Sequence, residues 1–423
     1  MLLKKVKQNL IVFFRTSINL GKNFIAVYHL AISISFYPLE HKSSINKRFQ
    51  TESKADLILP ISQNLESKDD GLWFQIENST DLKREGFRVP QNAYRAVLEV
   101  YVSPHHDGQS WDEVGNEPFR DVVITLDDMI VVGAIWPYPI IYGAGNDIWN
   151  PVVSIRNFDF PSYDIELTPF LGTLLDGGIH NLSFGIGNAG NVWYIDENLH
   201  LWLDHRSNRT NGKFVSSYSQ PLDLSSKLKM KLALAGKSWV EAHRVLSSQG
   251  RVQSSHGNIT TRVSQNFLYA NYMDTKNEDD CFSSTVEQLV LSNDSVSFVD
   301  NFAAINFYSF ESMKTFNLTN KEDLKRMKAD ILDKINIEIE YGDKKTHESP
   351  HSKSTIVNSL KDQQSGSRVV IFKNYSFFSV LDAMNQSYHY QNVEGNTKMC
   401  YFRNISSFNA SIVYDKENNK CAK

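Results

Sequence analysis

Between residues 94 and 103 the chain alternates in strict parity. Tyr94, Ala96, Leu98, Val100 and Val102 fall on one side, and Arg95, Val97, Glu99, Tyr101 and Ser103 on the other. A period of two belongs to a strand, and β-branched and aromatic residues on both parities suit a strand with neighbours on each side. Strand-like runs recur at residues 119–126, 179–186, 191–195, 228–234, 238–246 and 258–268, with turn-forming residues between them. That spacing predicts an all-β chain of antiparallel, jelly-roll-like sandwich domains. One segment departs from the pattern. Asn320 is placed to cap a helix whose Leu324, Met327, Ile331, Leu332 and Ile335 recur at helical spacing, so one short helix is expected near 320–335. The stretch 341–367, rich in Lys, Ser, His and Asp, reads as a mobile loop.

Composition matters mainly for what it excludes. Hydrophobic residues make up 41% and aromatic residues 12% of the chain, enough for sizeable cores. The net charge of −4, with no basic run interleaved with aromatics, gives no footprint for nucleic acid. No Cys or His pair has metal-ligand spacing beside another ligand-rich stretch, so no metal is expected. Residues 10–14 are apolar behind Lys4, Lys5 and Lys7, but the run is too short for a secretion signal and Arg15 interrupts it. Residues 9–14 and 24–37 read instead as strands. No transmembrane segment is expected.

Sequons for N-glycosylation stand at Asn78, Asn181, Asn208, Asn258, Asn293, Asn317, Asn374, Asn385, Asn404 and Asn409, more than composition alone would produce. Their excess points to the secretory pathway, with a vacuolar or extracellular destination. Of the three cysteines, Cys400 and Cys421 are the most economical pair, because the turn-like residues 415–419 return the chain beside its own start. The competing pairing joins Cys281 to one of them.

Several runs are familiar. The stretch 94–103 (YRAVLEVYVS), 161–172 (PSYDIELTPFLG) and 198–204 (NLHLWLD) closely resemble the peptide-N-glycosidase A family, and so do 71–80, 400–407 and 411–415. The resemblance weakens through 341–367. Residues 24–38 look like the last strand of that family's amino-terminal β-domain, so the resemblance implies an amino-terminally truncated chain. It implies a remnant of that domain at 1–38, a linker at 39–70, a central β-sandwich at 71–205 and a β-rich carboxy-terminal region at 206–423. The family's members are glycoamidases acting on N-glycosylated peptides or glycoproteins. No cofactor is needed for that reaction.

Hydrolysing a glycosylated asparagine amide requires an activated water and a protonated leaving nitrogen, and carboxyl groups serve both needs. The connector between the strands at 94–103 and 119–126 supplies them. Asp112, Glu113 and Glu117 are the expected catalytic acids, although a small residue is the family's expected choice at the last position. Trp111 is expected to stack on a sugar face, with His105 and Arg120 as further substrate contacts. Bacterial glycoamidases compared with the family place their acids between two β-sandwiches, with the key aspartate in the first; the matching stretch here would precede Met1. Asp164 and Glu166 read as a solvent or interface face, and His180 and His200 as structural histidines. The alternative function is a non-catalytic β-sandwich that binds glycans or glycoproteins.

Overall fold

The computed structural model describes residues 55–61, 73–104, 119–136, 162–187, 192–230, 235–277, 281–298, 302–319, 328–344, 355–373, 376–394, 397–409 and 411–421. The strands expected at 9–14 and 24–37 lie outside these residues, as does the expected remnant domain at 1–38.

Nine strands build the first part: β1 (Leu57–Ile61), β2 (Phe74–Ile76), β3 (Lys83–Phe87), β4 (Ala93–Pro104), β5 (Asp121–Leu126), β6 (Ile130–Ile135), β7 (Tyr163–Glu166), β8 (His180–Gly187) and β9 (Trp193–Leu203). They form two antiparallel sheets. One runs β1-β9-β4-β7 with β2 also on β9, and the other runs β3-β8-β5-β6. The alternation at 94–103 is therefore a central strand, paired with β9 from Ala93↔Leu203 to Pro104↔Trp193.

The inward parity of each sheet makes the core. Leu98, Val100, Ile195, Leu199 and Leu201 from the first sheet and Ile124, Leu126, Leu182, Phe184 and Ile186 from the second are all buried in one hydrophobic cluster. Phe74 stacks on Phe184 across the gap, with ring centroids 5.5 Å apart. Side chains of this size contribute about 1.5–3 kcal/mol each on full burial. The strand β1 falls within the range expected to be a linker. Its Ile61 is buried and it pairs with β9 along its whole length, because Leu57, Leu59 and Ile61 present one apolar parity to the core.

The remaining strands form one sheet of eleven: β10 (Asn211–Ser219), β11 (Asp223–Met230), β12 (Gly236–Ser254), β13 (Gly257–Asn277), β14 (Cys281–Phe298), β15 (Phe302–Thr319), β16 (Lys328–Lys344), β17 (Thr355–Lys373), β18 (Ser376–Glu394), β19 (Thr397–Phe408) and β20 (Ser411–Asn418). From β12 to β20 each strand pairs with the next in sequence, an up-and-down meander. The short runs expected at 238–246 and 258–268 are middles of far longer strands, 19 and 21 residues in β12 and β13. Their Ser, Thr, Asn and Gln residues look like turn formers in the sequence but sit within paired ladder.

Two expectations are corrected here. The helix near 320–335 is not formed where the structure describes it: from Lys328 onward the chain is β16, paired on both sides with β15 and β17. Ile335, Ile337, Ile339 and Tyr341 repeat every second residue, and this β-branched alternation prevails over the helical coincidence of Ile331 with Ile335. Asn320 and Leu324 lie outside the described residues. The expected mobile loop at 341–367 includes most of β17, whose polar side chains belong to a wide sheet. Among the described residues the one α-helix is a single turn, α1 (Leu171–Leu174), which follows a 3-10 turn at Thr168–Phe170.

That turn docks on the long sheet through glycines. A Cβ on Gly250 of β12 would stand 2.0 Å from the Pro169 carbonyl oxygen, and one on Gly172 would stand 2.0 Å from the Phe214 nitrogen. Backbones meet here without side chains between them. Nearer the other end of the small sheets, the Ala134 amide donates to Gln265 Oε1 at 3.1 Å.

Candidate active site

In sequence, the connector of residues 105–118 joins the end of β4 in the first sheet to the start of β5 in the second. Asp112, Glu113, Glu117, Trp111 and His105 all belong to it and lie outside the described residues. Its two feet are described. At one, Pro104 pairs with Trp193, whose buried indole Nε1 has no hydrogen-bond partner. At the other stands Arg120, 6% exposed, with its Nε also buried and unpartnered. Leaving a buried donor unpaired costs about 1–3 kcal/mol, more when it is charged. Both feet thus present N–H groups suited to an oxygen acceptor.

Arg120 is held in place by what surrounds it. Phe119 packs edge-on against Tyr269 of β13 at 5.1 Å, and Trp136 lies 5.9 Å from the same ring. Burial lowers the pKa of the Arg120 guanidinium, while the nearby Tyr269 hydroxyl favours its charge. The next residue, Asp121, accepts a hydrogen bond from Arg244 Nη2 of β12 at 2.7 Å, and both residues are buried. Burial pushes the Asp121 carboxyl up even against that cation. This ion pair joins the small sheet to the long one at the residue that follows Arg120.

A carboxyl that sequence reasoning passed over lies within the sandwich. Glu197 of β9 is fully buried and neither carboxylate oxygen has a partner. Burial, and then the charge of Asp196, raises its pKa well above the ordinary glutamate value, which favours its neutral form. The signal was available: in Trp193, Ile195, Glu197, Leu199 and Leu201 one carboxylate occupies the apolar parity of a strand. Arg244 carried no comparable signal, because its partner lies 123 residues away.

The other acidic candidates form a separate network on the outer face of the first sheet. Arg95 reaches Glu166 Oε2 through Nε at 3.2 Å and Nη2 at 3.1 Å, and its guanidinium covers the Trp202 ring at 4.5 Å. Glu166 also bonds the Thr168 hydroxyl, which accepts from the Ala96 amide at 3.0 Å. His200 Nε2 pairs with Glu99 Oε2 at 3.0 Å, and Tyr101 donates to Glu99 Oε1 at 2.8 Å. Burial first, and then this carboxylate, pushes the Tyr101 phenol up to about 12. Asp164 lies on the same face and is exposed, so it is not a sequestered acid. His180 is fixed between Asp127 at 2.8 Å and Asp176 at 3.1 Å, at the opposite end of the sandwich from the connector.

Among the described residues no group of three or more His, Cys, Asp or Glu is disposed to hold a metal ion. Asn78, Asn208, Asn258, Asn385, Asn404 and Asn409 are exposed, and Asn181 and Asn317 are partly so. Asn374 and the side chain of Asn293 lie outside the described residues. Cys400 and Cys421 form a disulfide and Cys281 is a free, exposed thiol.

Comparisons with known proteins point to one family. A model of the peptide N-acetyl-β-D-glucosaminyl asparaginase amidase A family matches residues 1–113 and 112–220, and one of the PNGase A C-terminal domain matches residues 239–318. A peptide-N4-(N-acetyl-β-glucosaminyl)asparagine amidase A of Prunus dulcis is 40% identical over 445 aligned positions, covering 100% of this chain and 75% of that protein. No solved structure matches the chain.

Proposed function

Because the chain belongs to the peptide-N-glycosidase A family, we propose that it hydrolyses the amide linking N-glycans to asparagine in glycopeptides or glycoproteins. By family it is an amidase of the peptide-N-glycosidase type. The observation that carries the reading is the 40% identity along the entire chain to a relative whose name states that activity.

In the proposed reaction, an ionised carboxylate takes a proton from water as the oxygen attacks the asparagine side-chain carbonyl. A protonated carboxyl gives its proton to the departing nitrogen as the C–N bond breaks. Aspartate is left on the peptide and the sugar leaves as a glycosylamine, which water converts to the free glycan and ammonia. We assign these two roles within Asp112, Glu113 and Glu117. Trp111 and His105 bind the sugar beside them, and Arg120 orients an acid or the carbonyl oxygen from below. The unpartnered Arg120 Nε at the foot of their connector supports the assignment. The Cys400–Cys421 bridge and the exposed sequons support a secretory route to the vacuole or cell exterior.

The test is release of glycan from a defined glycopeptide by the whole chain and by Asp112→Asn, Glu113→Gln and Glu117→Gln. Loss of an acid–base group is expected to cost about 10² to 10⁴ in kcat. Full activity in all three variants would move the chemistry elsewhere. Binding without release in the folded parent would favour the glycan-binding reading.

A further inference from the structure

An open polar cleft of about 650 Å³ lies where the chain passes from β9 into β10, and Asp176, Arg209, Asn211, Gln253, Ser254 and Ser255 line it. It adjoins the Ala93 end of β4, since the Thr210 hydroxyl beside it donates to the Ala93 carbonyl at 2.6 Å. The twelve residues of β4 put about 35 Å between that end and the Pro104 foot of the connector. The cleft is therefore separate from the expected acids.

Its walls are fixed without a ligand. Asp204 is fully buried and takes the Ser255 amide and hydroxyl, each at 2.6 Å, together with the Arg206 amide at 3.0 Å. That carboxylate ties the turn before β10 to the end of β12. Part of the lining is bare backbone, because a Cβ on Gly212 would stand 2.8 Å from the Gly172 nitrogen. The polar side chains, by contrast, are open. Asn211 and Gln253 face each other in register on β10 and β12, and neither carboxamide has a hydrogen-bond partner among the described residues. Arg209 likewise makes no ion pair there, although Asp176 lines the same cleft. Asp176 bonds the Gly178 amide and His180 through Oδ1 alone, which leaves Oδ2 open.

One cation and one carboxylate give this cleft no net charge to draw an anion, and among its described lining only Leu175 is a hydrophobic side chain. A carboxamide both donates and accepts, and so does a hydroxyl, so the set complements a neutral, hydroxyl-rich ligand. The volume falls among those of small-ligand sites and admits roughly two or three sugar rings. Asn208 adds an independent observation. It is exposed, it heads the sequon Asn208-Arg209-Thr210, and it stands between the lining residues Ser207 and Arg209. A glycan attached there would begin at the rim.

We propose that this cleft binds a neutral saccharide of a few rings through Arg209, Asn211, Gln253 and Asp176. The saccharide is either the glycan on Asn208 of this chain or one belonging to another molecule. Fixed walls lower the ordering cost of binding in both cases.

The experiment uses the full chain made with its glycans, Asn208→Gln, and Asn208→Gln combined with Asn211→Ala and Gln253→Ala. The probe is the free trisaccharide mannosyl-chitobiose. Amide exchange across residues 207–212 and 253–256 is followed as the probe is added, and each protein's melting temperature is recorded. Asn208→Gln is expected to show protection there, and the triple variant to need about 10- to 100-fold more probe, the loss of one to two good hydrogen bonds. Both carboxamides are unpartnered, so the triple variant is expected to melt with Asn208→Gln. Equal protection of the glycosylated chain assigns the cleft to saccharide from another molecule, and protection appearing only with Asn208→Gln assigns it to the chain's own glycan. Absence of protection in both would overturn the inference. So would an unchanged midpoint in the triple variant, or one that shifts only in step with its melting temperature. Glycopeptide hydrolysis is assayed separately: protection without hydrolysis upholds this inference against the glycoamidase reading, and hydrolysis without protection does the reverse.

Discussion

The interior of the sandwich gives the Glu197 carboxylate nothing to bond, which favours its neutral form. Its folded pKa is raised, so the folded protein binds that proton more tightly than the unfolded chain does. The stabilisation from Glu197 is fully present below the unfolded carboxyl value of about 4.3 and is lost as pH rises from there through the folded value. The prediction concerns a difference, since lowered carboxylates such as Asp204 act in the opposite sense. Relative to the parent, Glu197→Gln is expected to gain melting temperature steadily from about pH 4 to neutrality, over the window that the unfolded value opens. Parallel pH profiles for the two proteins would show that Glu197 is not a buried neutral acid. Arg244 sets a second prediction at the same scale. Its removal strands Asp121 in a buried setting, and breaking such a pair costs about 3–5 kcal/mol. Urea unfolding of Arg244→Ala measures this, and a change under 1 kcal/mol (about the worth of an exposed pair) would mean the pair is solvated.

Single elements show why close approach matters. The 3-10 turn at Thr168–Phe170 rests on β12 only because Gly250 has no side chain, with the Pro169 carbonyl 2.0 Å from where a Cβ would stand. The obstacle is backbone, so it does not rotate away. Gly250→Ala is expected to cost about 1–3 kcal/mol, the usual range for overpacking, whereas Gly257→Ala meets no neighbour within 4 Å and suffers only from its φ of +112°. Differential scanning calorimetry of the two variants separates a steric from a conformational cost.

The disulfide acts on β19 and β20. Opening it with Cys400→Ser and Cys421→Ser together releases a closure of 21 residues, worth about 3 kcal/mol in the chain-entropy account. Amide exchange along β20 should rise first, and unchanged exchange would show that the sheet edge is held by pairing alone.

These elements were unequally legible in the sequence. The central strand β4 was plain, because its period of two is carried by apolar residues. The strand β16 was misread as helix because Ile331 and Ile335 also fit a period of four, and only the further repeats at Ile337 and Ile339 decide between them. The disulfide followed from proximity along the chain.

At the scale of the whole molecule, the sandwich and the long sheet are joined by the Asp121–Arg244 ion pair. The sequence exposed the acids of residues 105–118 because Asp, Glu and Trp crowd a single connector. It showed nothing of what packs against the start of β5. Arg244 and Tyr269 come from strands more than a hundred residues away, and their meeting with Phe119, Arg120 and Asp121 depends on register across two sheets. Glu197 stood between, visible as a parity violation to a reader looking for one. The central claim is that this chain cleaves the side-chain amide of glycosylated asparagine. The most direct measurement incubates the purified full chain with a defined N-glycopeptide and follows both products by mass spectrometry. The account predicts free glycan together with a peptide in which the glycosylated asparagine has become aspartate, and conversion slowed about 10²- to 10⁴-fold in at least one of Asp112→Asn, Glu113→Gln and Glu117→Gln. A folded, glycopeptide-binding parent that leaves asparagine and glycan joined would contradict it, as would glycan release that leaves a sugar on asparagine.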